Sequence, residues 1–163
     1  MVMQQEINLV TLVKDAVFLY PTKNSEGLTE TISLELDSGG NKVNIEGFYL
    51  KDEQLQFTNE KPYVIYGYAG VAEGKTLTME AGTRVHFHTD SGIYVAGGGK
   101  LQINGSLSTD QDLLENEVIF EGNRLEPEFE EVPGQWGTTW MASGSIENTI
   151  EYLTVKNATV GLM

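Results

Sequence analysis

The 163-residue chain contains no cysteine, which excludes a disulfide framework, thiolate metal sites and a cysteine nucleophile. Basic residues are scarce: ten Lys plus Arg stand against 24 Asp plus Glu, for a formal net charge of −14. Phosphate binding needs a basic footprint, so nucleic acid is excluded as a partner and an anionic membrane surface is disfavoured. No run reaches the roughly 20 apolar residues of a membrane-spanning helix, and Met1-Val2-Met3-Gln4 lacks the charged-then-apolar pattern of an export signal. Direct membrane insertion is therefore not expected, and neither is a signal or lipid anchor within these residues. Helical periodicity with caps is also lacking; Asp110 to Asn116 is the one helix candidate, and it is short.

What the chain does have is β signal. Eighteen glycines and seven tyrosines accompany frequent Val, Ile and Thr, the residues of strands and tight turns. Alternation runs through Ile7 to Val13, Ile32 to Leu36 and Val43 to Glu46, with a polar hairpin turn at Asp37-Ser38-Gly39-Gly40-Asn41. Residues 1–62 read as an antiparallel β region, a cap of four to six strands. After Pro62 the apolar triplets shorten and the glycine turns become regular. Leu77-Thr78-Met79 matches Leu101-Gln102-Ile103, Val85-His86-Phe87 matches Ser106-Leu107-Ser108, and Ile93-Tyr94-Val95 matches Val118-Ile119-Phe120, at offsets of 24 (Leu77 to Leu101), 22 (Val85 to Leu107) and 25 (Ile93 to Val118) residues. A third round holds Thr138 to Met141, Ile150 to Leu153 and Ala158 to Val160. Three short strands per period suit a parallel β-solenoid over residues 63–163. Strands recurring every 8 to 12 residues also suit an antiparallel sandwich.

Longer motifs favour the first of these. Leu77 to His88 (LTMEAGTRVHFH), Leu101-Gln102-Ile103-Asn104-Gly105, Val118 to Glu126 (VIFEGNRLE) and Pro133-Gly134-Gln135-Trp136 follow one another in this order. Residues 62–163 so resemble the pectin-lyase-like right-handed parallel β-helix proteins expected to be secreted or lipid-anchored at the surface of Gram-negative bacteria. The resemblance implies an all-β, single-stranded right-handed solenoid and an extracellular or outer-membrane-surface location. It leaves function open, since this architecture hosts lyases, hydrolases and plain scaffolds.

Several constellations could carry chemistry. His86 and His88 sit at i and i+2 and share a strand face, so both imidazoles could meet one metal, with Asp110 and Asp112 as the nearest paired acids. The same histidines also read as surface groups bonded to neighbouring strands. From Asp110 to Glu131, nine acids accompany only Arg124, which suits a solvated loop; calcium is the alternative, although the spacing is loose for six to eight converging oxygens. No cofactor is otherwise implied. Leu125 and Phe129 argue that the loop folds back, since an extended loop would leave both in water. Trp136 and Trp140, four apart, could form a sugar-stacking platform with Tyr94 and Tyr152, or fill the interior where the acidic loop rejoins the fold at Gly134 and Gly137.

No catalytic residues stand out. Lys75, Arg84, Lys100, Arg124 and Lys156 are scattered, whereas uronate lyases of the resembled architecture use a basic residue beside acidic calcium ligands. Gly-x-Ser-x-Gly is absent, and Gly97-Gly98-Gly99 precedes no helix that would make it a phosphate cradle. The expected function is a non-catalytic, surface-exposed structural or adhesive module with weak glycan contact, its partners polysaccharide or another surface protein. The alternative is a piece of a polysaccharide lyase or glycoside hydrolase whose active site lies in further coils. The rhythm at Val160-Gly161-Leu162-Met163 runs on without a cap, so this sequence is expected to be a piece of a longer protein or to self-associate through its uncapped C-terminal coil.

Overall fold

The computed structural model describes residues 13–35 and 39–163. The alternation expected over residues 7–12, and Leu36, Asp37 and Ser38 of the expected strand and hairpin turn, lie outside the described residues. In chain order the strands are β1 (Val17–Leu19), β2 (Thr31–Glu35), β3 (Lys42–Tyr49), β4 (Gln56–Phe57), β5 (Tyr63–Ile65), β6 (Tyr68–Val71) and β7 (Thr76–Glu80). They continue as β8 (Arg84–Phe87), β9 (Gly92–Val95), β10 (Lys100–Asn104), β11 (Val118–Gly122), β12 (Thr139–Met141), β13 (Thr149–Glu151) and β14 (Leu153–Val155).

These strands form three sheets. The first has the order β1-β5-β8-β11-β14, the second β13-β10-β7-β4, and the third β12-β9-β6-β3-β2. Every strand pairing is parallel except β2 with β3. The expectation of a single-stranded right-handed parallel β-helix behind an antiparallel N-terminal cap is overturned by this arrangement: there are three sheets of five, four and five strands, the third of them mixed. Nor do the strands before Pro62 form an antiparallel region of four to six strands. β1, β3 and β4 pair in parallel with β5, β6 and β7, leaving β2–β3 as the one antiparallel ladder among the described residues. The antiparallel sandwich is overturned by the same pairings. Period-2 alternation specifies which residues face inward; it does not specify how strands are shared among sheets.

The expected offsets hold once and fail twice. Leu77 pairs with Leu101. Val85 pairs with Phe120 rather than Leu107, and Ile93 with Thr139 rather than Val118. The connections explain this. Residues 81–83, 88–91 and 96–99 make short turns, whereas 105–117 and 123–138 are long insertions. The expected helix at Asp110–Asn116 is a run of turns within the first insertion.

The core lies between the sheets. Leu77, Met79, Leu101 and Ile103 from the second sheet meet Val85, Phe87 and Phe120 from the first and Ile93 and Val95 from the third, all fully buried. Burial of one such side chain contributes about 1.5–3 kcal/mol, and the intervening Thr76, Thr78 and Glu80 remain half-exposed. A second, smaller cluster joins Ile32 and Leu34 of β2 to Tyr94 of β9, with Ile45, Tyr68 and Trp140 packed against it. β2 pairs with residues 42–46 of β3, and residues 47–49 of β3 pair with β6. The hairpin thus folds across the outer face of the third sheet. There the Tyr68 ring lies against Gly92, where an added Cβ would come within 2.6 Å of the ring and would also strike the Thr138 carbonyl; glycine is required for that approach.

Candidate functional site

Val85 and Phe87 point into the core, so Arg84 and His86 stand on the outer face of the first sheet, and His88 continues that face just beyond β8. Register places Phe18, Val64, His86 and Glu121 side by side in one row across four strands. Although it faces outward, His86 is only 6% exposed. Its Nδ1 lies 3.3 Å from the Gly122 carbonyl and 3.6 Å from Glu121 Oε1. A carbonyl only accepts, so Nδ1 carries the proton and donates. Burial pushes the His86 pKa below the usual imidazole range; Glu121 and the Gly122 carbonyl oppose that fall, and Arg84 adds to it.

His88 is exposed and bonded differently. Asn123 Nδ2 donates to its Nδ1 at 3.2 Å, so the proton of the neutral ring sits on Nε2. The His88 and Tyr66 rings lie 4.7 Å apart, and Tyr66 lies 6.5 Å from Phe18. Three rings therefore run across the sheet as a ladder, ending at Phe18 on the edge strand β1.

The polar groups beside this ladder hold loops. Arg84 donates to the carbonyls of Glu117 at 2.6 Å and Leu114 at 2.7 Å, clamping the first insertion. Burial lowers the Arg84 pKa, against the raising effect of Glu121, Glu117 and Glu115. Asn157 has φ +66°, a left-handed conformation that Asn tolerates better than most residues. From there its Nδ2 donates to the carbonyls of Glu130 at 2.9 Å and Val132 at 3.1 Å, and its Oδ1 accepts from Gly122 N–H at 3.2 Å. Gln135 Nε2 donates to the Val132 carbonyl at 2.9 Å, and the Arg124 guanidinium lies 4.1 Å from the centre of the Phe129 ring. The acidic loop is thereby folded back over a cavity of about 270 Å³ lined by Glu121, Arg124, Glu126, Glu130, Lys156 and Asn157.

The residues singled out from the sequence are distributed over several places. His86 and His88 share the outer face, whereas Asp110 sits in the first insertion, where its Oδ1 accepts from the amides of Asp112 at 2.9 Å and Leu113 at 3.1 Å and shapes the turn. Among the described residues no group of three or more His, Asp or Glu is placed to hold a metal ion. Trp136 is buried in the main core, stacked on Phe87 at 4.1 Å and 12°, and its Nε1 donates to the Lys156 carbonyl at 2.7 Å. Trp140 lies on the opposite side of the third sheet, under the hairpin, edge-to-face with its register partner Tyr94 at 6.5 Å. The two tryptophans do not share a face because β12 starts only at Thr139 and Trp136 makes an isolated bridge to Ala158. Tyr152 sits exposed in the turn between β13 and β14, at φ +51°. The expected platform of Trp136, Trp140, Tyr94 and Tyr152 is not brought together; of the four, Tyr94 and Trp140 meet.

Sequence reasoning missed the ladder Phe18–Tyr66–His88 and the loop-holding roles of Arg84 and Asn157. Asn157 has no local signal, since its partners lie 25 and 27 residues away. The ladder could be found only from a register linking residues 17–19 to 63–65. No protein-family model, no curated protein and no solved structure matches this chain.

Proposed function

We propose that this chain is a non-catalytic module with a structural or adhesive role, displayed outside the cell and making weak contact with glycans. The single observation supporting it is how the outward polar side chains are used. Arg84, Asn157 and Gln135 bond to loop carbonyls, and Asn148 Oδ1 accepts from the Leu101 amide at 2.7 Å. These groups stabilise the scaffold and are not converged on a reacting centre, and rings such as Tyr20, Phe18 and Tyr49 are left facing solvent. Rings that are half-exposed on a rigid sheet suit stacking on a sugar. The external location draws on the motifs over residues 62–163. The test incubates the purified chain with neutral and uronate-containing polysaccharides and follows both binding and product release. Binding without new reducing ends or unsaturated uronates is expected; turnover with either class sinks the reading.

A second reading, a polysaccharide lyase or hydrolase, draws on the 270 Å³ cavity, where Glu121, Glu126 and Glu130 stand near Arg124 and Lys156. Against it, Arg124 is paired with Glu126 at 3.4 Å and lies over the Phe129 ring. Unsaturated products that disappear in Lys156→Ala would favour this reading over the first.

A further inference from the structure

A second cavity, of about 310 Å³, opens where the edge strand β1 approaches β3. Its floor is the end of the main core, Leu19 and Phe48. Its walls include three large rings that are unusually open: Phe18 at 44% exposure, Tyr20 at 60% and Tyr49 at 42%. Phe18 ends the ladder. Tyr66, just beyond β5, stacks on it at 6.5 Å, and the 44% exposure of Phe18 on the edge strand leaves part of its ring open. Tyr49 is held by a different device. It pairs with Gly70 on β6, and a Cβ there would come within 2.7 Å of Tyr49 Cδ1, so the ring lies over the glycine.

The polar lining offers both donors and acceptors. Thr22 donates to Glu30 Oε1 through its amide and its hydroxyl, each at 3.2 Å, which fixes the carboxylate, and Oε2 accepts from no donor among the described residues. Gln54 Oε1 accepts from the Lys51 amide at 2.9 Å, which orients its Nε2 group, and Lys51 Nζ makes no ion pair among the described residues. Glu30 and Lys51 carry opposite charges, and no arginine lines the space.

We propose that this cavity binds one neutral pyranose ring, at the end or on a branch of a glycan, stacked on Tyr20, Tyr49 or the free face of Phe18. Such a ring has apolar C–H faces and a rim of hydroxyls that both donate and accept, which is what rings interleaved with a carboxylate, an amide and an ammonium recognise. The volume sits at the low end of the roughly 300–1,000 Å³ range of small-molecule sites, enough for one sugar and not for a buried chain. The cancelling local charges give no preference for an anion, and the net charge of −14 repels uronates and sialates. This deepens the glycan contact proposed above and rests on it.

The test probes an array of neutral hexose and hexosamine oligosaccharides, with matched uronate and sialylated ones, using the full chain. Methyl hexosides then measure affinity by calorimetry. Wild type is expected to bind neutral glycans only. Tyr20→Ala and Tyr49→Ala should each weaken binding about tenfold while keeping the wild-type melting temperature, since both rings are exposed. Gly70→Ala substitutes no lining residue but displaces the Tyr49 ring, so it should weaken binding too; Trp140→Phe, away from the cavity, should not. If wild type binds neutral glycans and the tyrosine and glycine variants bind equally well, this cavity is overturned and the glycan-contact reading survives. If wild type binds only acidic glycans, the neutral-sugar assignment fails. If it binds none, both the cavity and the glycan contact fail, leaving the scaffold role alone.

Discussion

His86 shows how a residue that reads as a surface ligand becomes a pH-sensitive part of the fold. Its ring is enclosed between Val64 and Glu121 in the outer row, donates to the Gly122 carbonyl and has its pKa lowered by burial. A histidine whose folded pKa lies below the unfolded value of about 6.5 favours folding in its neutral form. Its contribution is therefore fully present above about pH 6.5 and is lost as pH falls toward the folded pKa, because the unfolded chain binds the proton first. Urea unfolding of wild type should show stability declining from pH 7 to pH 5.5, with Glu121 moderating the fall and Arg84 steepening it; His86→Gln should flatten the curve in that window. The carboxylates whose pKa values are lowered, Glu115, Glu126 and Glu147, are charged throughout this window and act at lower pH. Asn157 gives a second check. Asn157→Ala keeps the left-handed backbone, removes the bonds to Glu130, Val132 and Gly122 and should lower stability by about 1–3 kcal/mol. A glutamyl endopeptidase should then cut within residues 126–131 faster than in wild type. Asn157→Gly relieves the backbone but not the loop, so it should recover stability without recovering protease resistance.

At the scale of elements, the paired strands make a quantitative claim about which leucines matter. Leu101 is fully buried against Leu77, whereas Leu107, which the sequence spacing puts opposite Val85, sits exposed in the first insertion. Leu101→Ala should therefore destabilise by about 2–5 kcal/mol, and Leu107→Ala should stay within roughly 0.5 kcal/mol of wild type, both measured by denaturant midpoints at constant slope. The contrast also marks where the sequence could be read. From Leu77 to Ile103 the turns are short, so alternation alone gives the inward set Leu77, Met79, Val85, Phe87, Ile93, Val95, Leu101 and Ile103. Beyond Gly105 the insertions break the spacing, and no local pattern tells that Phe120 stacks beside Val85 or Trp140 beside Tyr94. The sharing of strands among three sheets was not legible either, because hydrophobic alternation carries facing but not sheet membership. The candidate site suffers for the same reason. Tyr66 and Phe18 stack across strands 48 positions apart in the chain, so the ladder is a product of register.

Over the whole molecule, charge is the feature least compensated by structure. Of ten Lys plus Arg and 24 Asp plus Glu, the described residues form ion pairs only at Lys75–Asp52, Lys100–Glu147 and Arg124–Glu126, with His86–Glu121 as a fourth when the imidazole is protonated. The remaining carboxylates repel one another across a compact scaffold, and unfolding lets them separate. Added salt screens that repulsion, the Debye length falling from about 30 Å at 0.01 M to about 8 Å at 0.15 M. Each kcal/mol so recovered should raise the melting temperature by about 2–4 °C for a chain of this size. Sodium chloride should thus stabilise the protein steadily between these concentrations. Magnesium and calcium chloride at matched ionic strength separate general screening from a dedicated cation site. Screening depends on ionic strength alone, so without a dedicated site the two divalent salts should shift the midpoint equally. A calcium-specific rise at millimolar concentration, saturating where magnesium does not, would instead reveal converging oxygens, and the acidic insertions 105–117 and 123–138 on either side of β11 would be the first places to search for them.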